Sequence, residues 1–362
     1  MIAILYLIFG SYLIFIGVLT FGIIRGNRID KKADLNKTSL NGISILVPFY
    51  NGQNHIKDSI ENMKQIQYTG LDLEFIYIDD YSTDAGSSIL KQEKDSRFTL
   101  MSSSGLKGKK SALEQAVNAA KHDWILTTDI DCSLPHSIFE YYRGVLGANP
   151  EIRLIAGPVL SKEQNFQSFN LLSLAVFSQA SSNLGVFNTL SGANLFYKKR
   201  DFLKIQPYKD NLDLPSGDDM FLLKAFKKAG LKNLYFLSNP LNIIETKCLD
   251  NTEDFVNQQL RWASKTDRIA NPFHILSGLL VSLGNLTTLV IFITLLVKGF
   301  FLQASLIWLI KLIVDGLYFY SYSPKIKRQL SGAKYLKSAV IYPFFTTFIA
   351  AKLLISPRNK VW

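Results

Sequence analysis

Cysteine is scarce in this sequence of 362 residues, which contains Cys132 and Cys248 and no other cysteine. Two cysteines without paired spacing argue against a disulfide framework and against a zinc site, and they fit a reducing compartment. The chain also lacks evident internal repeats, low-complexity segments and nucleic-acid-binding motifs. Nucleic acid is therefore not among the expected partners.

Acidic residues are outnumbered in the chain, with 29 Asp and Glu against 40 Lys and Arg, which gives a net charge of +11. A basic balance can indicate nucleic acid, anionic lipid or phosphorylated substrates as partners. The basic clusters lie beside apolar runs, so lipid and phosphate are favoured. Hydrophobic residues make up 48% of the chain, which leans towards the membrane class.

Charged residues are missing from residues 1–24, a nearly continuous apolar run that is long enough to span a bilayer. A cleaved signal peptide is the alternative, but it normally carries its charges before the apolar run. Here Arg25, Arg28, Lys31 and Lys32 come after the run. The sequence therefore predicts an uncleaved transmembrane anchor in the cell or inner membrane, with its C-terminal side in the cytoplasm.

Residues 40–250 have the pattern of an α/β domain, which the anchor would place in the cytoplasm. Short apolar runs predict buried strands, and stretches with helical patterning lie between them. The runs cover residues 43–47, 73–78 and 124–128, and the helical stretches cover 55–65 and 111–121. This alternation predicts a mainly parallel sheet, in which ligands bind beyond the carboxyl ends of the strands.

The C-terminal part, residues 274–357, is again typical of a membrane protein. It contains three apolar runs, at residues 275–297, 300–320 and 336–355. Lys325, Lys327 and Arg328 follow the second run and indicate that its end is cytoplasmic. The third run contains Pro343 and either spans the membrane or lies in its interface. Residues 251–273, before these runs, are predicted to form an amphipathic interfacial segment.

Acidic pairs follow two of the predicted strands. Asp79 and Asp80 could accept hydrogen bonds from a nucleotide base or ribose, although a solvated turn gives the same pattern. Asp129 and Asp131 come directly after the third strand, and two carboxylates in such a turn can hold a divalent metal that bridges diphosphate oxygens. Cys132 follows them and is interpreted as a small packing residue.

Two helix starts carry charged residues. The basic segment 107–110, which includes Lys109, opens one helix, where free N–H groups and the helix dipole favour phosphate. The alternative is an exposed basic loop. Asp218 and Asp219 open another helix, where they could cap it or supply a general base for an acceptor hydroxyl.

A polar and aromatic segment precedes the C-terminal membrane runs and contains Gln258, Gln259, Arg261 and Trp262. On a helix, Gln258 shares a face with Arg261 and Trp262. Arginine can contact phosphate through two hydrogen bonds, and tryptophan offers a flat apolar surface for a sugar ring. The alternative is an amphipathic helix that lies on the membrane without binding a ligand.

In order and spacing, these motifs resemble the family 2 glycosyltransferases, in particular the membrane-embedded branch with cellulose, chitin and hyaluronan synthases and ceramide glucosyltransferases. The resemblance covers residues 43–262, and the flanking apolar runs fit it. It implies an α/β fold of the GT-A type, with a mainly parallel sheet, flanking helices, and transmembrane helices at both ends. It also implies hexosyl or N-acetylhexosaminyl transfer from a nucleotide-sugar, with a UDP-sugar as the expected donor, in cell-envelope polysaccharide or glycolipid biosynthesis.

The resemblance assigns a role to each matching residue. The residues implied to bind the donor are Pro48, Tyr50, Asp79, Asp80, Lys109 and Asp129. Asp129 and Asp131 would hold Mg²⁺ or Mn²⁺. Asp219 matches the second acid of a Glu-Asp pair, which acts as the base, and Asp218 stands where relatives have Glu. The residues implied to lie near the acceptor or diphosphate are Gly192, Gln258, Gln259, Arg261 and Trp262.

The resulting hypothesis is an inverting, metal-dependent transfer of sugar to a lipid-linked or saccharide acceptor, beside membrane lipids. A processive polysaccharide synthase is the alternative, although one span before the domain and about three after it would make a small channel. A catalytically dead membrane scaffold is disfavoured by the intact carboxylates. A transporter would need polar groups concentrated in its spans, where Lys311 and Asp315 stand out and are better explained as an i,i+4 ion pair.

Overall fold

The structure, a computed structural model, describes residues 2–26, 40–67, 70–187, 189–212, 214, 217–264, 272–326 and 331–355. The chain divides into two compact units. The helical unit comprises residues 1–26, 163–188 and 248–362, and the sheet unit comprises residues 27–162 and 189–247. Each unit is therefore assembled from separate parts of the chain.

The strands of the sheet unit are short and numerous. Among the described residues they are β1 (Gly42–Phe49), β2 (Asp72–Asp79), β3 (Phe98–Ser102), β4 (Trp124–Thr127), β5 (Cys132–Ser133), β6 (Leu154–Ala156), β7 (Val159–Ser161), β8 (Leu195–Lys198), β9 (Leu234–Phe236) and β10 (Ile244–Thr246). They form a seven-stranded sheet in the order β3-β2-β1-β4-β8-β6-β9 and a three-stranded sheet in the order β5-β10-β7.

The larger sheet is mainly parallel. Strands β3, β2, β1 and β4 run in one direction, and β8 is antiparallel to both of its neighbours. Every residue of β1 is buried, because a central parallel strand has helices on both faces. This explains why its sequence is a continuous apolar run and not an alternating one.

The helices divide between the two units. The sheet unit contains α2 (Gln53–Lys64), α3 (Gly86–Leu90), α4 (Lys109–Ala119), α5 (Ile138–Ala148), α7 (Lys199–Ile205) and α8 (Asp218–Lys228). The helical unit contains α1 (Ile2–Arg25), α6 (Phe166–Asn183), α9 (Thr252–Ala263), α10 (Pro272–Val297), α11 (Phe301–Ile326) and α12 (Gly332–Ile355). The mainly parallel sheet with flanking helices confirms the predicted α/β architecture.

Four helices of the helical unit, α1, α10, α11 and α12, are long and apolar enough to cross a membrane. α1 packs against α6, α10 and α11, and α12 packs against α9 and α10. Inside this unit, Tyr12 of α1 donates a hydrogen bond to Asp315 of α11 over 2.7 Å. Lys311 pairs with the same carboxylate, which confirms the predicted i,i+4 ion pair.

Candidate active site

Acidic and basic side chains meet at the carboxyl edge of the parallel strands. β2 ends at Asp79, and β4 ends two residues before Asp129. Because neighbouring parallel strands end at the same edge, the residues that follow them lie close together. The first turns of α4 and α8 bring Lys109 and Asp218 to the same place.

Lys109 forms ion pairs with Asp129, which follows β4, and with Asp218, in the first turn of α8. Its Nζ lies 2.6 Å from Asp129 Oδ1 and 3.2 Å from Asp218 Oδ2. Burial alone would lower the pKa of Lys109, but the charges of Asp129 and Asp218 outweigh it and hold that pKa well above its usual range. Lys109 is therefore a fixed positive charge at the centre of the cluster.

For the Asp129 carboxyl, the effect of burial on the pKa outweighs the opposing effect of Lys109. Burial in the cleft raises the pKa of its carboxyl, and the nearby carboxylates of Asp131 and Asp218 add to the rise, while Lys109 opposes it. Such a concentration of carboxylates is stabilised by an additional cation, because each negative charge raises the cost of ionising the next. The electrostatics of the cluster favour a bound metal ion.

The Asp129–Asp131 turn has ligand atoms suited to a divalent metal. Oxygens of Asp129 and Asp131 and the sulfur of Cys132 all lie within 4.8 Å of one another. Thr246 of β10 contributes a hydroxyl 3.4 Å from Asp131 Oδ2. Burial raises the pKa of the Cys132 thiol, and hard divalent ions such as Mg²⁺ prefer oxygen ligands to sulfur. The oxygen atoms fit Mg²⁺ or Mn²⁺. Ile130, which stands between the two aspartates, packs against the hydrophobic core.

Asp79 and Asp80 organise the loops at this edge. Asp79 accepts hydrogen bonds from the Ser82 backbone N–H over 2.8 Å and from the Ser87 hydroxyl. Burial would raise the pKa of Asp79, but these hydrogen bonds lower it below its usual value. Asp80 accepts from the Gly108 backbone N–H over 2.9 Å, which fixes the loop before α4. Contact of these two acids with a donor stays a prediction.

The loop after β1 is joined to the loop after β2. The Asn51 side chain accepts a hydrogen bond from the Thr83 backbone N–H over 2.9 Å. Asn51 and Tyr81 both have positive φ angles, of 52° and 63°, which are uncommon for residues with a side chain and often mark functional loops. Tyr50 is 51% exposed beside these loops, and Lys107 Nζ lies 3.9 Å from its ring centre. Pro48 is buried within β1, as its neighbours are.

Gly192 allows the Asp218 carboxylate to enter the cluster. A Cβ atom on Gly192 would collide with that carboxylate and lie 3.2 Å from Lys109 Nζ. The Gly192 carbonyl accepts a hydrogen bond from the Thr127 hydroxyl over 2.9 Å.

The N-cap of α8 is Gly217, without a side-chain cap, so the structure does not support N-capping by Asp218 or Asp219. Ser216 lies outside the described residues.

The two adjacent acids of α8 differ in their surroundings. Asp218 is 7% exposed and contacts Lys109, whereas Asp219 is half-buried and accepts from the Met220 backbone N–H over 2.7 Å. The assignment of Asp219 as the base stays a prediction.

The segment with Gln258, Gln259, Arg261 and Trp262 lies on α9, in the helical unit. Gln259 Oε1 accepts a hydrogen bond from Asn170 of α6 over 3.0 Å. Its buried Nε2 has no hydrogen-bond partner within the described part of the chain. Arg261 is exposed, and Gln258 and Trp262 are half-buried. The predicted acceptor role of this segment stays a prediction.

Within the sheet unit, the structure brings together five of the predicted residues, namely Lys109, Asp129, Asp131, Asp218 and Gly192. Thr246 and Thr127, which hold members of this cluster, were not predicted. A single threonine at the end of a short strand carries no signal that could have identified either of them.

Comparison with known proteins identifies the family model that fits this region. Residues 44–159 match glycosyl transferase family 2. Poly-beta-1,6-N-acetyl-D-glucosamine synthase of Staphylococcus aureus (strain MSSA476) is 28% identical over 181 residues, which cover 47% of this chain and 43% of that protein. The enzyme of the same name from Staphylococcus epidermidis is 27% identical over 168 residues, 44% of this chain and 40% of that protein. The matches thus cover less than half of these relatives.

A solved structure has a similar fold over nearly the whole chain. The mannosyltransferase PcManGT from Pyrobaculum calidifontis, determined with GDP-Man and Mn²⁺, aligns with a TM-score of 0.58 and 16% identity. The alignment covers 96% of this chain and 99% of that one. At this identity the comparison establishes the fold, including the GT-A arrangement of the sheet.

Proposed function

We propose, from the match of residues 44–159 to glycosyl transferase family 2, that this chain is a membrane-bound inverting glycosyltransferase. Its donor is a nucleotide-sugar, and its acceptor is a lipid-linked or saccharide hydroxyl. The observation that carries the proposal is the cluster at the carboxyl edge, where Lys109 lies 2.6 Å from Asp129 and 3.2 Å from Asp218. Such a cluster can stabilise a leaving diphosphate and accept a proton nearby.

Donor binding in this proposal depends on two kinds of positive charge. Asp129 and Asp131 would hold Mg²⁺ or Mn²⁺, which when bound neutralises charge on the leaving diphosphate. Lys109 adds a second positive charge beside Asp129. Asp80 holds the backbone of Gly108, so it places Lys109 at the start of α4. A UDP-sugar is the donor that we propose.

Proton transfer in this proposal involves the start of α8. Asp219 takes the proton of the acceptor hydroxyl, whose oxygen bonds to the anomeric carbon as the bond from that carbon to the diphosphate breaks. The nucleoside diphosphate leaves, and this single displacement inverts the anomeric configuration. Asp218, held by Lys109, orients the helix start beside Gly192. Gln258, Gln259, Arg261 and Trp262 of α9 are proposed, from the family resemblance, to act on the acceptor side of the reaction.

The direct test measures nucleotide release by the purified protein in detergent. The panel contains UDP-N-acetylglucosamine, UDP-glucose and GDP-mannose, each with Mn²⁺ or Mg²⁺ and with or without candidate lipid and saccharide acceptors. We expect acceptor-dependent release from a UDP-sugar. Folded protein that releases no nucleotide from any donor would favour a catalytically dead scaffold.

A second candidate is a processive polysaccharide synthase, because the curated relatives that match are poly-beta-1,6-N-acetyl-D-glucosamine synthases. Product length separates the candidates. A processive enzyme produces long chains while most acceptor remains unused, whereas a single-transfer enzyme extends every acceptor by one sugar. Mass spectrometry of products at low conversion of the acceptor gives this distribution.

A further inference from the structure

A cavity with a positively charged lining lies at the end of the larger sheet where β4 begins, opposite the strand ends that carry the candidate active site. Lys198, the last residue of β8, pairs with Trp124, the first residue of β4. Arg153 directly precedes β6, and its carbonyl accepts a hydrogen bond from the Lys198 backbone N–H. Because Asp129 follows the opposite end of β4, this edge is distinct from the edge that carries the candidate active site.

The cavity has a volume of about 390 Å³. Arg153, Arg200, Lys204 and Asp201 supply its charged lining, and Ile205 and Leu231 supply apolar surface. Ligand pockets in proteins typically begin at roughly 300 Å³ and combine apolar walls with a few polar groups. The cavity is therefore large enough for an organic ligand.

The charges of this lining do not balance. Arg153 Nη1 lies 3.2 Å from both carboxylate oxygens of Asp201, so this acid is already paired. Arg200 and Lys204 stand four residues apart on α7, where like charges repel each other. In the described part of the chain, neither forms a salt bridge. Arg200 and Lys204 are both exposed, so two positive charges without an ion-pair partner in that part of the chain line the open cavity.

The pKa of Lys198, on the neighbouring strand, is lowered mainly by burial. The charges of Arg200 and Arg153 lower it further, and those of Asp201 and Asp123 oppose the shift. A bound anion would relieve this repulsion, and arginine in particular matches the geometry of phosphate oxygens.

We propose that this cavity is an anion site that binds the phosphate groups of a phosphorylated organic ligand. Arg200, Lys204 and the remaining N–H groups of Arg153 contact the phosphate oxygens. Ile205 and Leu231 pack against the organic part of the ligand. Nothing in the proposed glycosyl transfer requires this cavity, so its occupancy is independent of that reaction.

The test uses the full-length protein in detergent with inorganic pyrophosphate as the probe. EDTA is present, so that metal-dependent binding of diphosphate at the Asp129–Asp131 turn does not contribute. Thermal unfolding is followed against pyrophosphate concentration at constant ionic strength. The test variant is Arg200→Gln/Lys204→Gln, and the matched control is Lys57→Gln/Lys94→Gln, which removes two exposed charges elsewhere on the sheet unit.

We expect pyrophosphate to stabilise the parent and the control, and the test variant to bind it about tenfold more weakly or worse. A lipid arm repeats the unfolding in nanodiscs of phosphatidylcholine with and without phosphatidylglycerol. Selective loss of stabilisation by phosphatidylglycerol in the test variant would identify a lipid headgroup as the source of the phosphate, and loss with pyrophosphate alone would identify a soluble ligand. Equal pyrophosphate affinity in parent, control and test variant would overturn the proposal.

Discussion

At Lys109 three charges meet within hydrogen-bonding distance. The ammonium group bridges Asp129 and Asp218, which come from different elements of the fold. Asp131 lies beside this bridge without a salt bridge to Lys109, so its charge is the one most available to an incoming cation. The cluster therefore joins the candidate metal site to the start of α8 through one side chain.

Metal dependence is the first prediction at this scale. Asp131→Asn keeps the size of the side chain but removes a charged ligand, so we expect turnover to fall about 10²-fold or more. Chelation of the parent enzyme should have the same effect, and added Mn²⁺ should restore the parent. Asp210→Asn, an exposed aspartate on the same unit, serves as the control. Full turnover of the parent in chelator would exclude the metal-dependent mechanism.

The second residue-scale prediction separates Asp219 from Asp218. A positioned carboxylate base typically contributes about 10²- to 10⁴-fold, so Asp219→Asn should reduce turnover by that factor. Donor affinity should stay near normal, because Asp219 is not among the residues assigned to the donor. Asp218→Asn differs in that it should weaken donor binding, because it removes a partner of Lys109.

The measurement for this pair is turnover and donor affinity, determined side by side for both folded variants. If Asp218→Asn is inactive while Asp219→Asn keeps most of its rate, the two roles must be exchanged.

At the scale of elements, polar side chains join two apolar helices. Tyr12 of α1 and Lys311 of α11 both bind the Asp315 carboxylate, and Lys311 and Asp315 are 1% and 8% exposed. A buried ion pair contributes little net stability compared with an apolar replacement, but removal of one partner leaves the other charge buried without compensation.

The third prediction follows from this asymmetry. Asp315→Asn should destabilise the protein strongly, by about 3–5 kcal/mol, because Lys311 loses its counter-charge. Lys311→Met/Asp315→Leu removes both charges and should recover most of the loss. Thermal unfolding in detergent, followed by tryptophan fluorescence, gives the comparison. If Asp315→Asn is as stable as the parent, this ion pair does not stabilise the helical unit.

Much of the element order could be predicted because strands such as β1, β2 and β4 are largely apolar runs, and because acids stand at the ends of β2 and β4. The three-stranded sheet was not predicted, because β5, β7 and β10 have two or three residues each and are defined by pairing between distant segments. Likewise, the Lys109–Asp218 contact joins residues that are far apart in sequence. Motif patterns identify such residues, but tertiary packing decides which of them touch.

The predicted segment limits, 1–24, 40–250, 251–273 and 274–357, follow chain order and stay predictions. The structure groups residues by packing, and it places α6, from the middle of the chain, in the helical unit. Its apolar side chains contact aromatic rings there, such as Phe169 against Phe319 at 4.9 Å. Local sequence does not contain this information, because α6 is too polar to be predicted as a membrane span.

At the scale of the whole molecule, the chain is a membrane protein with apolar helices before and after the sheet unit in sequence. The charges from which orientation was predicted include Arg25, which ends α1, and Lys325, which lies in the last turn of α11. The others lie outside the described residues, namely Arg28, Lys31, Lys32, Lys327 and Arg328. If α1 has its C-terminal end in the cytoplasm, the segment that follows is cytoplasmic too. The short connection between α10 and α11, residues 298–300, then lies on the opposite side.

The fourth prediction tests this orientation with single cysteines. The background carries Cys248→Ser, because Cys248 is half-buried, and retains the buried Cys132. Glu61→Cys on α2 and Lys298→Cys between α10 and α11 are both at exposed positions. A membrane-impermeant maleimide added to intact cells should label Lys298→Cys and leave Glu61→Cys unlabelled until lysis. This outcome would place residue 61 of the sheet unit in the cytoplasm and the α10–α11 connection outside, in agreement with the predicted orientation. Labelling of Glu61→Cys in intact cells, with Lys298→Cys protected, would reverse the orientation and require a donor supply on the other side of the membrane.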